Sequence, residues 1–350
     1  MISLGWICAV GVGSGILVYQ FVGWLRAFAV KHLIDVPNAR SSHRTPTPRG
    51  GGIGIASTLT LAWLSIGFVE RDLRILCGGA LFAAVAGLGL WDDVRSLSAR
   101  VRLLVQLSVC VGTLATWGHL SIVSVPLIGV VRLSALGPAI TVVWIVGLLN
   151  AYNFMDGIDG IAGIQGVCAG LGWLSVAHYF GAVDATTLAA VCVGSCCGFL
   201  GHNWPPAKIF MGDVGSTSLG YQFAIFPLIA RRPVDDAWQE GQLVVVALLC
   251  VWPFVFDVAF TFFRRAARRQ PLTQAHRSHL YQRCSDRGWS HQQISSAYGL
   301  LAALCSTVAF AWVLRPQSST TAASVLVCFL IVPPIELALA AFPRPGSRSR

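Results

Sequence analysis

Eleven apolar runs, most of them near the length that crosses a bilayer as a helix, divide this chain and leave room for little else. They fall at 4–25, 51–69, 75–91, 101–117, 138–152, 161–180, 187–200, 217–230, 242–263, 294–314 and 323–342. The fifth, seventh and eighth are short, so ten or eleven spans are expected. Within hydrocarbon a backbone must satisfy its own polar groups, so runs of this length are helices. The ten-residue alternation of an outer-membrane barrel is not visible. Charged residues amount to 11% and the mean hydropathy is +0.67, whereas a soluble domain carries about a quarter charged residues. The expected fold is all-α: one polytopic transmembrane domain over 1–350, its motif-bearing core at about 31–290, with no linker, repeat or soluble module.

The first run is followed by Ala27, Phe28 and Ala29, which imitate a signal-peptide cleavage site, but no basic residue precedes it, so a retained span is expected. Basic residues set the orientation. With the N-terminus outside and the C-terminus cytoplasmic, 19 of the 25 Lys and Arg fall in inner segments. The net charge of +10 then reflects topology and attraction to membrane lipids and phosphate. No nucleic acid is expected as a partner, because the basic residues are split among loops without a recognition motif. Of eleven cysteines only Cys284 falls clearly in a loop, and no CxxC occurs, so neither a zinc site nor a disulfide framework is indicated.

Outer loops are short. The longest, near 118–137, alternates in a way that suggests a small hairpin. The inner loops concentrate polar residues, Gly and Pro on one face, the signature of one shared site. Asp92 and Asp93 end the third run, and they read either as a solvated pair that stops a helix or as metal or acid–base groups. NFMDGIDG places Asn153, Asp156 and Asp159 together. Three-residue spacing puts the two acids on one helix face, while Gly157 and Gly160 permit close backbone approach on a loop. A capped helix start is the plainer reading. Asp213 lies in FMGDVGSTSLG, where the amides opening the eighth run suit an anion and a carboxylate suits magnesium held by phosphate oxygens. No Walker loop occurs, and Gly11, Gly13 and Gly15, which imitate a dinucleotide fingerprint, sit inside the first run. Carboxylates among glycines and arginines on one membrane face suit magnesium-assisted phosphoryl chemistry on an anionic substrate.

HRSHLYQR adds His276, His279 and Arg283, which read as phosphate or diphosphate binders, as a surface loop or, with a third ligand, as a zinc site. The preceding RRAARRQ is expected at lipid headgroups. His43, Arg44 and Arg49, between prolines and glycines, read as a phosphate clamp or as a basic flanking loop.

The motifs DVPNARSSHRTPTPRGGGI, WDD, NFMDGIDG, AKIFMGDVGS and HRSHLYQR, in this order between spans, resemble those of the polyprenyl-phosphate N-acetylhexosamine-1-phosphate transferases. The resemblance is nearest to the branch that starts O-antigen and similar surface glycans, and more distant to the phospho-N-acetylmuramoyl-pentapeptide transferase. It implies a bacterial inner-membrane enzyme. Such an enzyme moves N-acetylhexosamine-1-phosphate from a UDP-N-acetylhexosamine to undecaprenyl phosphate, releases UMP, uses Mg2+ with Mn2+ as a substitute, and forms a homodimer in some relatives. By position, Asp213 would be the principal metal ligand with Asp156 in support, and Asp92 or Asp93, Asp92 by preference, would deprotonate or orient the lipid phosphate. Asn153, Gly157, Ile158 and Asp159 would hold the nucleotide, Asn203 and Phe210 the uridine, and His276 and His279 would lie near the diphosphate. Arg100 and Arg102 match a basic pair more loosely. Ser278 replaces a histidine of the peptidoglycan enzyme's motif, which points away from a muramoyl-pentapeptide substrate. The sugar that the resemblance implies is an N-acetylhexosamine, with N-acetylglucosamine or a 6-deoxy N-acetylhexosamine expected.

Two rivals are a transporter using Asp257 and Glu336 as intramembrane relays, with Pro253, Pro333 and Pro334 breaking helices, and a non-catalytic lipid-binding scaffold.

Overall fold

The computed structural model describes residues 3–32, 34–35, 46–271, 276–315 and 319–342; His43 and Arg44 lie outside them. Each expected span falls on helix: α1 (Leu4–His32), α2 (Gly52–Glu70), α3 (Leu73–Arg95), α4 (Ala99–Trp117), α5 (Gly137–Met155), α6 (Ile161–Tyr179), α7 (Val183–Asn203), α8 (Asp213–Ala230), α9 (Ala237–Cys250) with α10 (Trp252–Ala267), α12 (His291–Leu314) and α13 (Ser319–Ala341). Among the described residues, nine helices are individually long and apolar enough to cross a membrane, or ten spans if the bent pair α9–α10 counts as one. The chain is thus an all-α multi-pass membrane protein.

Two spans differ from the simple expectation. The run at 242–263 is broken, with α9 and α10 inclined by 70°. Pro253 sits in the first turn of α10, where it lacks an N–H to continue the α9 ladder. The eighth run is too polar to pass as a span by composition, yet every residue of α8 from Val214 to Ala230 is buried. Neighbouring helices replace lipid around it. Gln222 Oε1 accepts from Trp63 Nε1 at 2.9 Å, and the Tyr221 and Thr113 hydroxyls pair at 2.9 Å. Lipid tails are as apolar as leucine, so such contacts and close packing, not water exclusion, hold helices together.

Glycine sets how close they come. Gly11 and Gly15 of α1 meet Gly194 and Gly198 of α7, where an added Cβ would strike backbone carbonyls. A Cβ on Gly89 of α3 would stand 2.6 Å from the Asp213 carbonyl oxygen, so α3 runs directly against the first turn of α8.

The two ends of the bundle are tied differently. At one, β3 (Ile122–Val125) and β4 (Gly129–Arg132) form the expected hairpin, docked on α9 through Ser124 Oγ, which donates to the Trp238 carbonyl at 2.8 Å. Arg232 pairs with Asp72 and Asp184 there, and Arg231 reaches Glu240 and the Trp117 and His119 carbonyls. The motifs gather at the other end. Short strands β1 (Ile34–Asp35) and β2 (Thr47–Pro48) pair there, and Phe210 N–H donates to the Pro48 carbonyl at 2.9 Å. The histidine segment enters α11 (Leu280–Asp286), which buries Cys284, so this cysteine is not in a loop as expected. Arg264 donates to the Ser278 carbonyl and so fastens the histidine segment to α10, and Arg265 donates to the Pro271 carbonyl.

Candidate active site

Five motif side chains converge where the C-terminal ends of α3 and α5 meet the start of α8. Asp93 is 4% exposed. Its Oδ1 and Oδ2 accept from the backbone N–H groups of Asp213 and Val214, each at 3.0 Å. It therefore caps α8 from a neighbouring helix, a role that the N-cap residue Gly212, with φ +78°, has no side chain to fill. Arg49 donates to the Asp93 carbonyl. Asp92 Oδ1 accepts from Leu97 N–H at 2.6 Å and Oδ2 from Arg102 Nη1 at 2.8 Å. Arg102 Nη1 also lies 4.0 Å from Asp213 Oδ2. Asn153 Nδ2 donates to Asp213 Oδ1 at 2.9 Å and to Ser216 Oγ at 3.1 Å.

Asp156 differs from these. It is half-buried just beyond α5, and its carboxylate has no hydrogen-bond partner among the described residues. Burial, and then the charges of Asp213, Asp93 and Asp159, push its pKa well above the ordinary carboxylate range. An under-partnered carboxylate facing like charges suits a cation. Among the described residues no three His, Cys, Asp or Glu side chains form a protein-only metal cage. Asp156 and Asp213 instead suit a hard divalent ion that takes one or two carboxylates and completes its shell with substrate oxygens and water.

The rest of the expected nucleotide set also carries contacts that shape the loops. Asp159 Oδ2 accepts from Ala207 N–H at 3.0 Å, and its Oδ1 lies 3.3 Å from His291 Nδ1. Its carbonyl accepts from Ser295 Oγ at 2.7 Å, which ties the loop to α12. Asn203 is 3% exposed. Its Oδ1 accepts from Gly160 N–H and its Nδ2 donates to the Ile209 carbonyl, both at 2.9 Å, so this amide braces the loop and keeps one lone pair and one N–H beyond those two bonds. The Ile158 side chain is buried, and Gly157 is exposed with the Tyr281 hydroxyl beside it. Phe210 is half-buried and paired through its backbone with Pro48 and Gly51.

Beside the carboxylates opens a cavity of about 380 Å3 between α4, α5 and α10. Arg102, Arg265, His276 and His279 line it together with Leu103, Val258 and Phe262. Burial, then His279, Arg265 and Arg264, push the His276 pKa down to about 4. Arg283 is half-buried on α11 and does not line this cavity. Asp257, read as a relay or a bundle contact, holds the histidine segment: it accepts from the backbone N–H of Leu280 at 2.8 Å and of Tyr281 at 3.1 Å. Its signal was to be an acid inside an apolar run. Arg265 had none beyond charge, and His291 none at all. Glu336 is fully buried and has no hydrogen-bond partner among the described residues.

Acidic and basic groups thus meet at one end of a helical bundle long and apolar enough to cross a bilayer, which defines a multi-pass membrane protein with a charged site. Residues 75–231 match the family model of glycosyl transferase family 4. The chain is 32% identical over 302 residues to a probable undecaprenyl-phosphate N-acetylglucosaminyl 1-phosphate transferase of Bacillus subtilis, covering 85% of this chain and 81% of that protein. It is 31% identical to a decaprenyl-phosphate N-acetylglucosaminephosphotransferase of Mycolicibacterium smegmatis, with 81% and 76% covered. It is 29% identical to a phospho-N-acetylmuramoyl-pentapeptide-transferase of Synechococcus, with 86% and 89% covered. The chain belongs to glycosyl transferase family 4.

Proposed function

We propose that this protein transfers N-acetylhexosamine-1-phosphate from a UDP-sugar to undecaprenyl phosphate, releasing UMP, as the first membrane step of O-antigen or a related surface glycan. The observation that carries the reading is the meeting of Asp92, Asp93, Asn153, Asp156 and Asp213 beside a cavity with cationic and apolar walls. The names of two relatives favour N-acetylglucosamine as the sugar. The bias of basic residues supports an inner-membrane protein with its N-terminus outside and the site facing the cytoplasm.

In this reading Asp213 and Asp156 would hold Mg2+, which would supply charge neutralisation for the reacting phosphates. Asp93 fixes the turn that carries Asp213, and Asn153 fixes the Asp213 carboxylate. Arg102, steadied by Asp92, presents a cation between the carboxylates and the cavity, where the lipid phosphate sits with its first isoprene units against Leu103, Val258 and Phe262. The lipid phosphate attacks the sugar-attached phosphorus directly. A two-step route needs a carboxylate nucleophile, and the hydrogen bonds that both oxygens of Asp92 and of Asp93 accept weaken them in that role.

The test is UMP release by purified protein in detergent, with undecaprenyl phosphate, Mg2+ and a panel of UDP-N-acetylhexosamines, beside Asp213→Asn. Release that requires lipid, metal, one sugar and Asp213 is expected. A folded protein that neither releases UMP nor binds any UDP-sugar overturns the reading.

A further inference from the structure

Both oxygens of Asp92 and of Asp93 accept structural hydrogen bonds, which weakens them as bases toward the proton on the acceptor phosphate and favours another destination. Asp257 points to one. Its Oδ1 faces His279 Nδ1 at 3.1 Å, Leu280 N–H at 2.8 Å and the Thr261 hydroxyl at 3.2 Å. Its Oδ2 faces Tyr281 N–H at 3.1 Å and the Tyr298 hydroxyl at 3.0 Å. The two amides can only donate, so both oxygens accept, and the proton shared with His279 resides on Nδ1. Nε2 is left as an acceptor on a residue that lines the cavity beside the carboxylates. This is the arrangement in which a carboxylate fixes an imidazole's tautomer and offsets the charge it gains on protonation.

We propose that Asp257 and His279 form a carboxylate–imidazole dyad in which His279 Nε2 takes the proton of the acceptor lipid's phosphate monoester. The assignment rests on the transferase reading above. The lipid phosphate monoanion gives its proton to Nε2, and one of its oxygens bonds to the sugar-attached phosphorus. The bond from that phosphorus to the UMP oxygen breaks with its electron pair going to UMP, and the imidazolium returns the proton to water. His279 is the catalytic residue and Asp257 the positioning residue. The titratable or charged groups around His279 are Arg102 from α4, Arg264, Arg265 and Asp257 from α10, His276 beside it, Tyr281 from α11 and Tyr298 from α12, with Glu336 of α13 behind Asp257. α5 contributes Phe154 and Asn150 to the cavity, neither titratable.

The measurement is kcat/KM for undecaprenyl phosphate from pH 5.5 to about 8.5 in the wild type, H279Q, D257N and D257E, with the melting temperature of each. A phosphate monoester loses its second proton near pH 6, so the acceptor needs a base least at high pH. A general base contributes about 100-fold or more, and a group orienting such a residue about 10-fold or more. H279Q is expected to fall about 100-fold at pH 6 and to recover most of that by pH 8.5, D257N to follow with a smaller defect, and D257E to regain part of the loss. H279Q leaves the amide and hydroxyl bonds of Asp257 in place, so it remains informative if D257N fails to fold. A defect of constant size at every pH overturns the dyad alone. Absence of UMP release from the wild-type protein overturns the transferase reading and the dyad with it.

Discussion

Replacing Asp93 by asparagine separates a residue that builds the site from one that touches substrate. The carboxylate accepts two backbone N–H groups at the start of α8. Asparagine keeps one acceptor and turns an NH2 group toward the other amide. A stranded buried amide costs about 1–3 kcal/mol, and loss of the full negative charge at a helix N-terminus adds about 1 kcal/mol. The expected destabilisation is about 2–4 kcal/mol, which for a long chain lowers the melting temperature by about 4–8 °C. Asp93→Ala strands both amides and costs about 2–6 kcal/mol. The carboxylate of Asp213 is a third exposed and accepts from Asn153, so Asp213→Asn serves as the control that loses activity with little change in melting. The assay pairs thermal unfolding in detergent with UMP release. Asp93→Asn with wild-type melting and UMP release down by about a hundredfold would refute the capping argument and make Asp93 a substrate-contacting group. Lowered melting with full activity would show that the cap does not set the position of Asp213.

Arg102→Gln removes the cation between the carboxylates and the cavity; KM for lipid phosphate should rise about tenfold, the worth of one charged hydrogen bond, with UDP-sugar binding unchanged by titration calorimetry. Gly89→Ala drives a methyl into the Asp213 carbonyl; overpacking of this kind costs about 1–3 kcal/mol, and melting and activity should fall together. His276 has a folded pKa of about 4, below its unfolded 6.5. The unfolded chain therefore binds more protons between these values, so stability is full above about pH 6.5 and is lost as pH falls toward 4. Melting curves across that window should flatten in His276→Gln; an unchanged slope would mean that His276 is not buried neutral.

Helix number and the convergence of the motif loops were legible because a lipid solvent permits one backbone solution and because unusual loops stand out between apolar runs. The 70° break was not, since Pro253 signals an interrupted ladder but carries no angle. The carboxylates were legible as a set and not as individuals. Asp92 and Asp93 are neighbours in sequence, yet one faces Arg102 and the other caps α8, because consecutive helical residues point about 100° apart. Asn203 reads in sequence as a ligand-binding amide, and nothing local announces that it also bridges Gly160 and Ile209. Asp257 could be flagged as an isolated acid, but its partners His279, Leu280 and Tyr281 lie more than twenty residues on, beyond any local pattern. Gly11 and Gly15, which imitate a nucleotide fingerprint, turn out to be where α1 and α7 touch.

The seclusion of α8 bears on how the protein is made. The helix that carries Asp213 is too polar, with Ser216, Thr217, Ser218, Tyr221 and Gln222, to partition into lipid unaided. Its entry into the bilayer is therefore expected to depend on the helices it packs against, chiefly α3 and α5, which are synthesised before it. A ribosome-bound chain truncated just after α8 should hold this segment in the membrane when α3 and α5 are present and release it to water when they are deleted. Helix order along the gene then doubles as an assembly schedule, with the carboxylate-bearing end completed only after its walls are in place.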